Sequence, residues 1–123
     1  MQVLILATLL PGLTLVTTPL QANPSGASVV HGNVAFNGFG SSQLNIVQGS
    51  QNAVINWQSF SIQSGEVTNF IQPNQNAVAL NRVVGADPTA IYGALNANGG
   101  VIVVNPNGVV GGPGGRIDVA GML

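Results

Sequence analysis

The chain has 123 residues, no cysteine, 2 basic and 3 acidic side chains, and a formal net charge of -1. That length suits one domain, and the absence of cysteine excludes a disulfide framework and any thiolate metal site. Two cations make no basic patch, so nucleic-acid binding is excluded as well.

Hydrophobic residues make up 46% of the chain and charged residues 4%, against about 25% charged in an ordinary soluble domain. A core is available, but the surface has to be built from Asn, Gln, Ser, Thr and Gly. Repeated Val and Ile runs set the chain apart from a low-complexity disordered one. Residues 1–16 are almost wholly apolar, are interrupted at Pro11 and Gly12, and lead to a small residue, Ala22, at a cleavage-like position. This is the pattern of a secretory signal peptide over residues 1–22. The shortness of the run and its Pro-Gly break disfavour a membrane anchor.

Beyond Ala22 there is no helical periodicity of useful length. Short apolar or alternating runs recur at 29–36, 43–47, 54–62, 67–71, 77–84, 101–104 and 116–119, each closed by Gly, Asn or Pro. Such runs predict the strands of an all-β fold. Residues 90–95 suit a helical turn or a strand equally. Ile55 and Trp57 share one face of their run while Asn56 and Gln58 share the other, and Phe60 and Ile62 alternate with Ser59 and Ser61. A half-buried strand needs this alternation. Trp57 and Phe60 are therefore core or cap aromatics, with an exposed glycan platform as the alternative.

Two architectures compete on this pattern. A sandwich needs antiparallel hairpins, for which Asn37-Gly38, Asn98-Gly99 and Asn107-Gly108 are candidate turns. A parallel β-helix stacks coils of roughly 20–25 residues and favours Asn-rich turns, stacked Val and Ile and few charges.

Residues 101–104 form an apolar β-branched run that stops in Asn105, Pro106, Asn107 and Gly108. Pro106 fixes φ and removes a donor, and Gly108 permits φ > 0. Both asparagines can hydrogen-bond their own backbone. The direct physical job of this motif is a rigid turn that ends a strand. Arg82 is a cation in an apolar segment and is expected to pair with Glu66 or Asp87 on an adjacent coil. His31 stands alone, and Glu66, Asp87 and Asp118 are spread along the chain. No catalytic, cofactor or metal site is expected from them.

In order, the chain carries Asn23-Pro24-Ser25-Gly26, Val29-Val30-His31-Gly32, Ile55-Asn56-Trp57-Gln58-Ser59-Phe60, Val67-Thr68-Asn69-Phe70-Ile71-Gln72-Pro73 and Ala79-Leu80-Asn81-Arg82-Val83. Ile91-Tyr92-Gly93-Ala94-Leu95-Asn96-Ala97-Asn98-Gly99 and Val103-Val104-Asn105-Pro106-Asn107-Gly108-Val109 follow. From about residue 23 to 123, this ordered set resembles the N-terminal two-partner secretion (TPS) domain of filamentous haemagglutinin-like exoproteins of Gram-negative bacteria. That domain is also called the haemagglutination activity domain. The resemblance implies a right-handed parallel β-helix of few coils with an N-terminal cap. It implies a secreted or surface location reached through the periplasm. There an outer-membrane transporter of the TpsB/Omp85 type recognises the domain through POTRA domains, and the β-helix folds at the cell surface.

On the same resemblance, Asn105, Pro106, Asn107 and Gly108 are the secretion motif. Asn81, Arg82, Trp57 and Phe60 are candidates for structural or docking roles. The chain departs from the family in two places. A second Asn-Pro-Asn-Leu motif of some members has its nearest match in Gln72-Pro73-Asn74-Gln75, and a Phe-Gly pair is replaced by Val110-Gly111-Gly112-Pro113-Gly114-Gly115. Family members run on through long repeats that carry adhesion or toxin activity. The chain is therefore expected to be truncated at its C-terminal end, with any host glycan or receptor contacts in the missing region. The alternatives are a stand-alone surface β-solenoid that binds glycan, and a non-functional remnant.

Overall fold

The computed structural model describes residues 23–112, 114–118 and 121–122, and every regular element among them is a β-strand. After two cap strands, β1 (Ser28–His31) and β2 (Val34–Asn37), the chain winds into stacked coils. The first coil is β3 (Gln43–Gln48), β4 (Asn52–Trp57) and a short third side ending at Ile62. The second is β5 (Val67–Ile71), β6 (Val78–Val83) and β7 (Thr89–Ile91), and the third is β8 (Ala94–Ala97), β9 (Gly100–Val104) and β10 (Val109–Gly111). A fourth begins with β11 (Arg116–Asp118) and β12 (Gly121–Met122).

Each strand pairs in parallel with its counterpart one coil away. β3, β5, β8 and β11 make the first face, β4, β6, β9 and β12 the second, and β7 with β10 the third, to which Ile62 adds a parallel bridge at Ile91. Gln43 pairs with Val67, Val67 with Ala94 and Ala94 with Arg116, so successive coils are 24, 27 and 22 residues long. The fold is a parallel β-helix, and the sandwich alternative fails. Of the three candidate hairpin turns, only Asn37-Gly38 leads into an antiparallel pair, β2 on β3. The strand after Asn107-Gly108, β10, pairs in parallel with β7.

The cap solves an edge problem. A bare first coil would present unpaired N–H and C=O groups to any passing strand. β2 lies antiparallel on β3, β1 lies antiparallel on β4, and Ser25 bridges Ser59 at the next corner. The predicted single run at 29–36 is thus two strands, divided where the chain crosses from one face to another. Residues 90–95 are two strands as well, β7 and β8, parted by the corner at Tyr92 and Gly93. β10 carries no strand signal in the sequence, because its two valines sit directly between Gly108 and Gly111.

Inward positions stack rung on rung. Ile46 sits under Phe70, Ala53 under Ala79 and Val101, and Trp57 under Val83. The aromatic rings concentrate at the cap end. Phe36 of the cap meets Trp57 edge-on at 5.7 Å, Trp57 meets Phe60 edge-on at 5.5 Å, and Phe60 stacks on Phe70 at 6.4 Å. Each such contact adds about 0.5–1.5 kcal/mol to the burial of the rings themselves.

Candidate functional site

The turn at Asn105, Pro106, Asn107 and Gly108 closes on itself and is then fastened to the coil beneath. The Gly108 amide donates to the Asn105 carbonyl at 3.0 Å, and the Asn107 amide donates to Asn105 Oδ1 at 2.9 Å. Asn first, Pro second and Gly fourth is the residue order that a β-turn of this kind favours. Gly108 sits at φ 108°, a region closed to most side chains.

The fastening runs to residues 85–89 of the preceding coil. Asn105 Nδ2 donates to the Asp87 carbonyl at 2.9 Å and to Thr89 Oγ1 at 3.0 Å. Asn107 Nδ2 donates to the Gly85 carbonyl at 3.1 Å, and the Thr89 amide donates to the Gly108 carbonyl at 2.9 Å. Thr89 is fully buried, so its hydroxyl needs this partner. Gly85 has its own constraint: a Cβ there would lie 2.0 Å from the Gln58 carbonyl oxygen. The motif is therefore a staple between the second and third coils. Asn105 is half-buried, and Pro106 and Gly108 are exposed.

Trp57 and Asn81 form the polar centre of the core. They lie on neighbouring coils, both fully buried, and Trp57 Nε1 donates to Asn81 Oδ1 at 2.9 Å. Asn81 Nδ2 reaches the Ala79 and Ile102 carbonyls at 3.3 and 3.2 Å, so three coils meet at one amide. Phe60 packs in the same cluster. With Trp57, Phe60 and Phe70 all at most 2% exposed, these rings offer no platform for a glycan.

Arg82 points outward and is exposed. Its expected partners, Glu66 and Asp87, do not pair with it. Arg82 Nε instead donates to Asn56 Oδ1 at 3.0 Å, because Asn56 is its register neighbour one coil down. Glu66 turns back to accept the Gln63 amide at 2.9 Å, and Asp87 lies beside the staple. His31 is in exposed β1, and no group of three metal-ligating side chains occurs among the described residues.

Two amide stacks went unread in the sequence. On the outside, Asn69 Nδ2 donates to Asn45 Oδ1 and Asn96 Nδ2 to Asn69 Oδ1, both at 3.0 Å. Inside the corner between the first two faces, buried Gln72 donates to Gln48 Oε1 at 3.1 Å and to the Gly100 carbonyl at 3.0 Å, and accepts the Gly99 amide at 2.8 Å. The signal was available: amides separated by one coil length. It becomes visible only once the coil length is known. The segment nearest to a second family motif thus begins with a corner-forming glutamine.

Comparison with known proteins matches this geometry. A family model described as the TPS secretion domain covers residues 20–123. The chain is 41% identical over 120 residues to a heme/hemopexin-binding protein of Haemophilus influenzae, covering 98% of the chain and 13% of that protein. It is 41% identical over 100 residues to the protein of the same name from the KW20/Rd strain, covering 81% of the chain and 11% of that protein. The chain therefore spans about an eighth of the length of the curated relatives it matches. Among solved structures, the HMW1 secretion domain of Haemophilus influenzae superposes with a TM-score of 0.68 at 34% identity, over 73% of this chain and 24% of that one.

Proposed function

The chain belongs to the TPS secretion domain family, which gives it the secretion-targeting role of two-partner secretion, and we propose that its 105–108 turn couples that role to folding. Domains of this family act with a TpsB transporter, and the exoproteins that carry them are secreted through the outer membrane. The finer reading concerns the order of events. In an extended chain the amides of Asn105 and Asn107 are open to a transporter's periplasmic POTRA domains. Main-chain hydrogen bonds along an unpaired strand supply affinity there, since so few charges are available. Outside, the same amides fasten the third coil to the second and commit the chain to its β-helix.

The staple onto residues 85–89 supports this reading most directly, because it uses both asparagines at once. The domain is read as non-catalytic, with its three acids dispersed. Adhesive, toxic or ligand-binding activities of whole exoproteins are assigned to the rest of those proteins. A cleaved leader over residues 1–22 lies outside the described residues. The next residue, Asn23, is buried and anchored by Thr68 Oγ1, which donates to its Oδ1 at 3.0 Å.

The test is export with a matching transporter co-expressed. Asn105→Ala and Asn107→Ala are expected to lower the amount secreted while the precursor still reaches the periplasm. Unchanged secretion of both variants removes the motif from the mechanism. N-terminal sequencing of the secreted product is expected to begin at Asn23.

A further inference from the structure

We propose that a groove beside the 105–108 turn docks an extended segment of the transporter that presents a carboxylate among small apolar side chains. The inference rests on the export reading above. It concerns a second contact, made by coils that have already stacked.

The groove is about 360 Å³ and is lined by Asn56, Arg82, Val83, Val84, Val104 and Pro106. Asn56, Arg82 and Val104 occupy one register line on the outside of the second face, a rung apart. Val84 and Pro106 follow as the chain leaves β6 and β9. One outward register line on the first face is filled by the amides of Asn45, Asn69 and Asn96. Here the corresponding line ends in valine, and Asn56 and Arg82 are flanked by apolar side chains, with Val84 57% and Val104 46% exposed. Pro106 belongs both to this groove and to the staple, so the surface is continuous with the secretion motif.

Arg82 supplies the charge complementarity. Among the described residues no carboxylate pairs with it, and its one side-chain hydrogen bond is from Nε to Asn56. That bond holds the guanidinium in place and leaves both Nη groups for a ligand. A planar fork fixed in this way suits a carboxylate. No acidic residue lines the groove, so a cationic ligand finds no partner in it. Rungs lie about 4.8 Å apart, so one short segment can reach Arg82 with an acid while covering Val104 and Pro106 with apolar groups.

The folded chain can be titrated with a synthetic pentapeptide of alternating valine and aspartate, followed by amide NMR, with a valine–lysine peptide as control. Saturable shifts are expected at Asn56, Arg82, Val84 and Val104, with none from the lysine peptide. Arg82→Gln should weaken binding by about tenfold, the loss of one charge-assisted contact. Val104→Ser should also weaken it, and Val47→Ser, exposed on the first face, should not. Unchanged melting temperatures confirm that the variants fold. The proposal is overturned by an absence of saturable shifts, by equal binding of the lysine peptide, or by equal loss in Val47→Ser. It is also overturned if the shifts follow protein concentration alone, which assigns the groove to a second copy of this chain. Export separates the two readings. If Arg82→Gln loses the peptide but is exported normally while Asn105→Ala is not, the transporter does not use the groove and the motif reading stands. If Asn105→Ala and Asn107→Ala are both exported normally, the motif reading falls.

Discussion

A buried amide is tolerable only when its hydrogen bonds are made, and Asn81 makes three. Removing it leaves the Trp57 indole N–H buried without a partner, at a cost of about 1–3 kcal/mol. Asn81→Leu should lower the urea midpoint accordingly. Combining it with Trp57→Phe should recover part of the loss, because both unsatisfied groups then disappear together. A double variant no better than the Asn81→Leu variant would show that packing, and not the indole bond, governs this site. At the staple, Asn105→Ala breaks two bonds to the second coil and one within the turn, and should cost about 1–3 kcal/mol in the same denaturant assay. Trp57 and Phe60 were legible as buried from alternation alone. The Arg82 partner was not, since sequence distance says nothing about which residue sits one rung away.

At the level of the element, the cap and the ladders do different work. The cap strands cover the hydrogen-bonding edge of β3 and β4 and contribute Phe36 to the ring cluster. Deleting residues 23–37 should yield a chain that aggregates and unfolds without a cooperative transition, as light scattering and circular dichroism would report. The external Asn ladder is more modest. Asn69 is its middle rung, with one bond to the coil below and one to the coil above. Asn69→Ala should lower stability by about 1–2 kcal/mol, because these half-exposed bonds compete with water. Strand positions along the chain were legible because β-branched runs stop at Gly, Asn and Pro. Three-residue β10 was not, and the breaks inside 29–36 and 90–95 depend on where the coil turns its corners.

For the whole molecule, the scarcity of charge shapes behaviour. Among the described residues stability rests on apolar stacking, ladder hydrogen bonds and buried amides, with no ion pair to be screened. The melting temperature should therefore hold steady as sodium chloride rises from about 0.05 to 0.5 M, a range over which surface pairs are progressively screened. A fall of many degrees would point to charge interactions that this arrangement does not contain. The coil is also the unit of repetition, so each coil depends on the next to cover its face. That makes the 105–108 staple a joint between repeats.

Residue types and their alternation are enough to mark the chain as all-β, poor in charge and built around Trp57, Phe60 and the 105–108 turn. Ordered motifs also marked it as a secretion domain. The strand content, the low charge and the turn follow from residue types and short-range alternation, which are local, whereas the secretion-domain reading comes from resemblance to a family. The β-helix, which composition and alternation left open against a sandwich and the family resemblance implied, is shown by direct strand pairing; the 24-, 27- and 22-residue coils are set only by that pairing. Tertiary structure also decided the partnering of Asn105 with residues 85–89, Trp57 with Asn81, and Arg82 with Asn56. Each of these contacts spans a coil, and a coil length becomes definite only when parallel strands settle their register. Uneven corners shift that register by several residues from one turn to the next.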